Sequence, residues 1–197
     1  MVTDILAIWF GEFDDAGMVT SEVQQRWWRK STTFDQDLTN QFGEILTRAA
    51  NHEFDHWQLA PQSCLALVIL LDQFSRHVYR GMPQMYAQDG EALRIACQAI
   101  EQDFHQHLLP IQAAFLFMPL EHAETLAMQH RCVMLFEQLV ERVEPTQASL
   151  FNGFVEFARQ HQVVIEQFGR FPHRNAILQR SSTDEELVFL QQPGSSF

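Results

Sequence analysis

Apolar residues return every three or four positions from Leu6 to Leu190, and stretches that alternate apolar with polar or gather β-branched residues are nearly missing. A strand exposes its faces with period two and a helix with period 3.6, so a chain patterned this way buries apolar surface only as helices. The fold class expected is all-α, with about eight or nine helices. Connections are mostly short, which implies antiparallel neighbours in an irregular bundle or a stack of helix pairs. A chain of 197 residues buries enough surface to hold a core without disulfides or metal. One helical domain over residues 1–197, ending in a short tail at 192–197, is expected.

Local signals place the elements. Thr3 or Asp4 is positioned to cap a helix that carries Leu6, Trp9 and Phe10 and stops at Gly11. Ser21 to Lys30 follows with Val23, Trp27 and Trp28. Thr33 then precedes Phe34 to Ala50, striped by Leu38, Phe42, Ile45, Leu46 and Ala49. Pro61 suits the first turn of a helix containing Leu65-Ala66-Leu67-Val68-Ile69-Leu70-Leu71, apolar on every face and therefore central. Asp89 is expected to cap Gly90 to about His107, with Leu93, Ala96, Cys97 and Ile100 inward, and Pro110 to break it. Ile111 to Phe117 reads as a short helix, with Pro119 opening another through about Val140. Ser149 to Phe168 ends at Gly169, and Thr183 with Glu186 forms a capping box for Asp184 to Gln191.

A formal charge of −12 gives no footprint for a phosphate backbone or an anionic bilayer. No apolar run reaches the length of a membrane span, and no leader pattern precedes the first helix. Nucleic acid and membrane are set aside as partners, and a soluble, cytoplasmic protein is expected. Cys64, Cys97 and Cys132 follow no metal spacing and read as reduced core thiols. No cofactor is expected.

Twelve of the thirteen basic residues are Arg; the other is Lys30. Arg is chosen where a planar fork grips a carboxylate or phosphate, or where a cation stacks on a ring. Three polar segments carry the candidates. Asp72, Arg76 and Arg80 fall at i, i+4 and i+8 beyond the apolar heptapeptide, with Gln73 beside them, and share one helix side if the helix continues. The bland alternative is a surface ion-pair ladder. Glu121 and His122 follow Pro119 in what reads as a helix first turn, where a carboxylate is favoured by the dipole and could position the imidazole. Their bland alternative is an ordinary acid beside a structural histidine. Arg170, His173, Arg174 and Asn175 crowd a turn stiffened by Pro172, as an anion site requires. There the alternative is that the arginines complement helix C-terminal carbonyls.

Two further features are weighed against those. His52-Glu53-Phe54-Asp55-His56 has the H-E-x-x-H spacing of zinc proteases, but it lies in the connection between Asn51 and Pro61, without a third ligand in pattern. It is set aside, and no metal is expected. His105 and His107 read as a solvated helix end. Trp27 and Trp28 point about 100° apart on a helix, so one is core and the other covers a seam or walls a ligand site. No phosphate loop, nucleophile elbow or Cys–His pairing is present.

At these segments the sequence resembles the bacterial domain-of-unknown-function family 924. The resemblance rests on Ile5-Leu6-Ala7-Ile8-Trp9-Phe10-Gly11, Trp27-Trp28-Arg29-Lys30, Phe34-Asp35, Leu65 to Arg76 with Tyr79-Arg80-Gly81, Phe117-Met118-Pro119-Leu120-Glu121-His122, Phe168 to Leu178, and the tail Pro193-Gly194-Ser195-Ser196-Phe197. It implies an all-α fold similar to tetratricopeptide-repeat superhelices and brings no activity with it. Two residues depart from the pattern. Ser75 stands where proline is expected, and His52 where the family usually has a small residue such as glycine.

The expected function is a helical binding module. Asp72, Gln73, Arg76, Arg80, Glu121, His122, Arg170, His173, Arg174 and Asn175 would converge on one pocket, with Trp27 or Trp28 at its wall, to hold a small anion or an acidic peptide terminus. The rivals are an enzyme using Glu121 and His122 as acid and base on an anionic substrate, and a protein-interaction scaffold braced by its arginine–acid network. The terminal Phe197 is expected to dock on its own fold and offer its carboxylate to an arginine.

Overall fold

The computed structural model describes residues 1–195. The chain is all-α: among those residues, β-structure is confined to an isolated antiparallel bridge between Phe13 and Val19. The expectation for Phe197 lies outside the described residues. Two compact units emerge, one made of Met1–Arg80 with Gln84–Pro119, the other of Gly81–Pro83 with the chain from Leu120 onward. Each is described by itself.

The first unit contains α1 (Val2–Phe10), α2 (Ser21–Trp28), α3 (Thr32–Ala50), α4 (Pro61–Val68), α5 (Ser75–Val78), α6 (Asp89–Glu101) and most of α7 (Pro110–Glu121). Its caps correct two expectations. Met1 rather than Thr3 or Asp4 precedes α1, and Asp4 instead pairs with the terminal ammonium at 2.7 Å. Asp89 does not cap α6, whose N-cap is Gln88; its carboxylate is drawn to Arg76 at 2.7 Å. Thr20 and Ser31 supply the side-chain caps of α2 and α3. The α6 helix stops at Glu101, and Phe104–His107 is a separate 3-10 turn. His105 in that turn is buried rather than solvated, with its ring 5.7 Å from Phe117.

The apolar heptapeptide is central as expected, every residue from Leu65 to Leu71 being 1% exposed or less. It does not form a uniform helix. After Val68 the backbone widens into a π-helical stretch, Ile69–Phe74, before α5 resumes and ends at Val78. Widened turns of this kind are rare and concentrate at functional sites. Around it Trp9, Trp27, Phe34, Phe74 and Phe115 form an aromatic knot, with Trp9 meeting Phe115 edge-on at 5.5 Å and Trp27 meeting it at 4.5 Å.

The α7 helix corrects the reading of Pro119. Helix starts at Pro110, where a missing N–H is harmless, and runs through Pro119 to Glu121. Buried apolar residues line it from Ile111 to Leu120 on all sides, so packing holds a helix that proline alone would break. Consequently Glu121 sits in the last turn of a helix and not the first, where the dipole disfavours a carboxylate.

In the second unit, α8 (Leu126–Val140) and α9 (Ala148–Phe168) form an antiparallel hairpin, shown by the pairs Glu137–Arg159 at 2.7 Å and His130–Glu166 at 3.7 Å. Phe136 and Phe154 stack between them at 5.6 Å. Gly169 closes α9 in the left-handed conformation, φ 67°, which glycine takes without a Cβ penalty. The short α10 (Asp184–Phe189) carries the expected capping box of Thr183 and Glu186.

Candidate functional site

The second unit buries a histidine on the inner face of α9. His161 lies on the stripe Phe154, Ala158, His161, Ile165 and is 2% exposed. Its Nδ1 lies 2.9 Å from the Phe157 carbonyl oxygen. A carbonyl accepts only, so Nδ1 carries the proton and Nε2 is left as the basic nitrogen. Nε2 is 3.9 Å from Oε1 of Glu121, itself buried. Burial drives the His161 pKa down to about 3, and the positive charges of His122, Arg174 and His173 push the same way. The imidazole is therefore neutral at ordinary pH.

Glu121 is fixed by its backbone. The carbonyls of Glu121 and Ala123 accept from Gln129 Nε2 at 2.6 and 2.8 Å, so a fully buried α8 side chain satisfies the orphan end of α7. The Cys132 thiol, one turn further along α8, is held well above its usual pKa by burial and then by the Glu121 carboxylate. Cys64 in the first unit is raised to about 12 by burial. Both are protonated thiols rather than nucleophiles. Cys97 is half-buried, and none of the three is joined in a disulfide.

Opposite His161 stands the turn after Gly169. Phe171 meets the His161 ring edge-on at 5.4 Å, and the Arg174 guanidinium lies 4.5 Å over the Phe171 ring. Arg174 is 6% exposed, although its charge cannot be discharged. His173 lies 5.7 Å from Phe171. Thus Glu121, His122, His173 and Arg174, read from two separate segments, do gather around one imidazole.

Arg170 and Asn175 do something else. Arg170 grips Glu186 as a fork, at 2.6 and 2.7 Å, and Asn175 Nδ2 donates to the same carboxylate at 3.2 Å. Arg170 is the main reason, against burial, that the Glu186 carboxyl is held down to about 2. Beside it Arg180 grips Glu124 at 2.6 and 2.9 Å, and the Phe171 N–H donates to Glu124 at 2.8 Å. These two forks tie the turn to α10 and to the connection between α7 and α8, fixing where Phe171 and Arg174 stand.

In the first unit, Asp72 and Gln73 lie on the π-helical stretch, 0% and 7% exposed. Gln73 Nε2 donates to Asp72 Oδ2 at 2.7 Å, and Arg76 approaches Asp72 Oδ1 at 3.7 Å. Arg76 also donates to the Met85 carbonyl, pairs with Asp89 and stacks on Tyr86 at 4.8 Å. Arg80 does not complete the ladder, because α5 ends at Val78. It grips Asp35 instead, at 2.6 and 2.9 Å, and Asp35 also meets His77 Nδ1 at 2.7 Å. Burial lowers the His77 pKa against the pull of Asp35. Trp27 is core, its indole N–H donating to the Trp9 carbonyl at 2.9 Å, and Trp28 is 54% exposed.

The H-E-x-x-H segment is not a helix. His52 occupies a turn with φ 63°, while His56 belongs to a 3-10 segment, Asp55–Leu59, and sits against Trp57. Two imidazoles one helical turn apart are therefore not formed. The positive φ at His52 is a conformation that glycine adopts without a Cβ penalty.

Residues 5–194 match the family described as bacterial proteins of unknown function, DUF924. The chain belongs to this family. A solved structure of a protein of unknown function, ATU0120 from Agrobacterium tumefaciens, is 33% identical, covers 96% of each chain and superposes with a TM-score of 0.81. No curated protein matches. Among the described residues, no helix is long and apolar enough to cross a membrane.

The residues missed in the sequence were His161, Glu124, Arg180, Asp35 and His77. His161 had a signal: a histidine in register with an apolar stripe. The partners of the arginines had none, since Asp35 and Arg80, or Glu124 and Arg180, are 45 and 56 positions apart.

Proposed function

We propose that this protein is a binding module for a small anion, a carboxylate or phosphate group or an acidic peptide terminus, held in the second unit by Arg174 with His173 and His122. The observation that carries the reading is the buried Arg174 beside three imidazoles. In a site of low dielectric the Arg174 guanidinium, whose charge is permanent, attracts an anion far more strongly than it would in water. Phe171 supplies the apolar wall on which the guanidinium lies, and the Glu124 and Glu186 forks hold the turn rigid, so little side-chain entropy is lost on binding.

The test is calorimetry and thermal shift of the full chain with inorganic phosphate, small carboxylates and an acidic peptide. Arg174→Gln is the test variant, and Arg159→Gln, which alters only an exposed pair, is the control. A ligand present at a hundred times its Kd should stabilise the wild type and the control by about 2.7 kcal/mol and leave Arg174→Gln unmoved. Equal shifts in all three proteins, or none, would refute the reading.

One observation favours a second reading, an enzyme on an anionic substrate. His161 Nε2 and Glu121 Oε1 face each other at 3.9 Å with the imidazole tautomer fixed by Phe157. The proposed partner of Glu121 for proton transfer is then His161 rather than the adjacent His122. Under this reading Glu121→Gln keeps anion binding and loses turnover, while Arg174→Gln loses both.

A further inference from the structure

Outside that cluster, three side chains from separate pieces of the first unit converge. His52 comes from the turn after α3, Asp55 from the 3-10 segment and Glu91 from the first turn of α6. One ligand atom from each lies within 4.8 Å of the others. His52 Nδ1 is 3.4 Å from Asp55 Oδ1 and 3.7 Å from Glu91 Oε1. Both separations exceed the usual N–H···O hydrogen bond. They lie close to the edge of a tetrahedron drawn around an ion with bonds of about 2.1 Å, roughly 3.4 Å.

We infer that His52, Asp55 and Glu91 form a site for a borderline divalent cation such as Zn2+ or Co2+, with further positions taken by water. One imidazole nitrogen with two carboxylate oxygens is a donor set for such an ion. Calcium and magnesium prefer oxygen alone, and copper(I) prefers sulfur. The surroundings already orient the ligands. Arg94 grips Glu91 at 2.6 and 2.9 Å, and Gln58 donates to Asp55 Oδ1 at 3.3 Å, so neither carboxylate has to be ordered by the ion alone. The ligand set shares only His52 with the two imidazoles of the H-E-x-x-H pattern.

The experiment is titration of the metal-stripped full chain with Zn2+ by calorimetry and with Co2+ by visible absorption. Variants are His52→Gly, Glu91→Gln and His56→Gln. Glycine suits the φ of 63° at position 52, so His52→Gly removes the imidazole without strain, and its melting temperature in chelator should equal or exceed the wild type. The expected result is one equivalent bound with a tetrahedral cobalt spectrum, weakened at least about tenfold by His52→Gly and by Glu91→Gln and unchanged by His56→Gln. Three outcomes overturn the site: no saturable binding, equal affinity in wild type and both ligand variants, or loss on His56→Gln without loss on Glu91→Gln.

Discussion

His161 Nε2 and Glu121 Oε1 stand 3.9 Å apart with side chains 3% and 4% exposed, one from the middle of α9 and the other from the end of α7. Neither partner occupies a place that local sequence favours for it. An imidazole sits on an apolar stripe, and a carboxylate ends a helix against the dipole. Tertiary packing holds both, through the Phe157 carbonyl for His161 and the Gln129 amide beneath Glu121.

The pH dependence of stability should report this burial. An unfolded histidine takes up a proton below about pH 6.5, whereas folded His161 resists it down to about pH 3. In that window the unfolded state binds more protons, so stability falls as pH falls, by about 2 to 3 kcal/mol between pH 7 and 4.5 from this group. Urea melts of wild type and His161→Leu at both pH values measure it. The variant should lose less on acidification; parallel losses would show that the imidazole is not held neutral.

Arg76 is expected to be the costliest arginine in the first unit. Arg76→Ala removes the partner of Asp89 and the cation nearest the fully buried Asp72, and should cost about 3 to 5 kcal/mol. Arg76→Lys retains charge but neither the fork nor the stacking on Tyr86, and should recover only part of that. Equilibrium denaturation separates the two, and a full rescue by lysine would reduce the role of Arg76 to bulk charge.

Glu186 joins two jobs, the capping box of α10 and the anchor of Arg170 and Asn175. Thr183→Ala should cost about 1 kcal/mol, the ordinary loss of a cap. Glu186→Ala should cost about 2 kcal/mol or more, since it also strips the Arg170 fork and one Asn175 contact. Amide exchange over 184–189 should rise in both variants, and over 170–175 only in Glu186→Ala. Matching profiles would mean that the turn does not depend on α10.

Sequence periodicity was enough for the helical class, for the stripe on α3, for the buried heptapeptide, and for the ends at Gly169 and Thr183. These are decided by contacts within four residues, which spacing and capping chemistry report directly. It failed at Pro119, because the penalty of proline inside a helix is local and the apolar burial of α7 that outweighs it is not. It failed at Asp89 for the same kind of reason: a pairing with Arg76, thirteen positions away, outcompeted a cap. Glu121, His122, His173 and Arg174 were chosen from residue chemistry alone. Only the packing of α8 and α9 with the segment from Leu120 onward placed His161 among them, and only the folded chain decided that Arg80 meets Asp35 and Arg170 meets Glu186. A sequence states which side chains carry charge and which face they share on their own helix; which charge each one meets is settled by burial, where an ion keeps its charge only beside a partner brought to it by the fold.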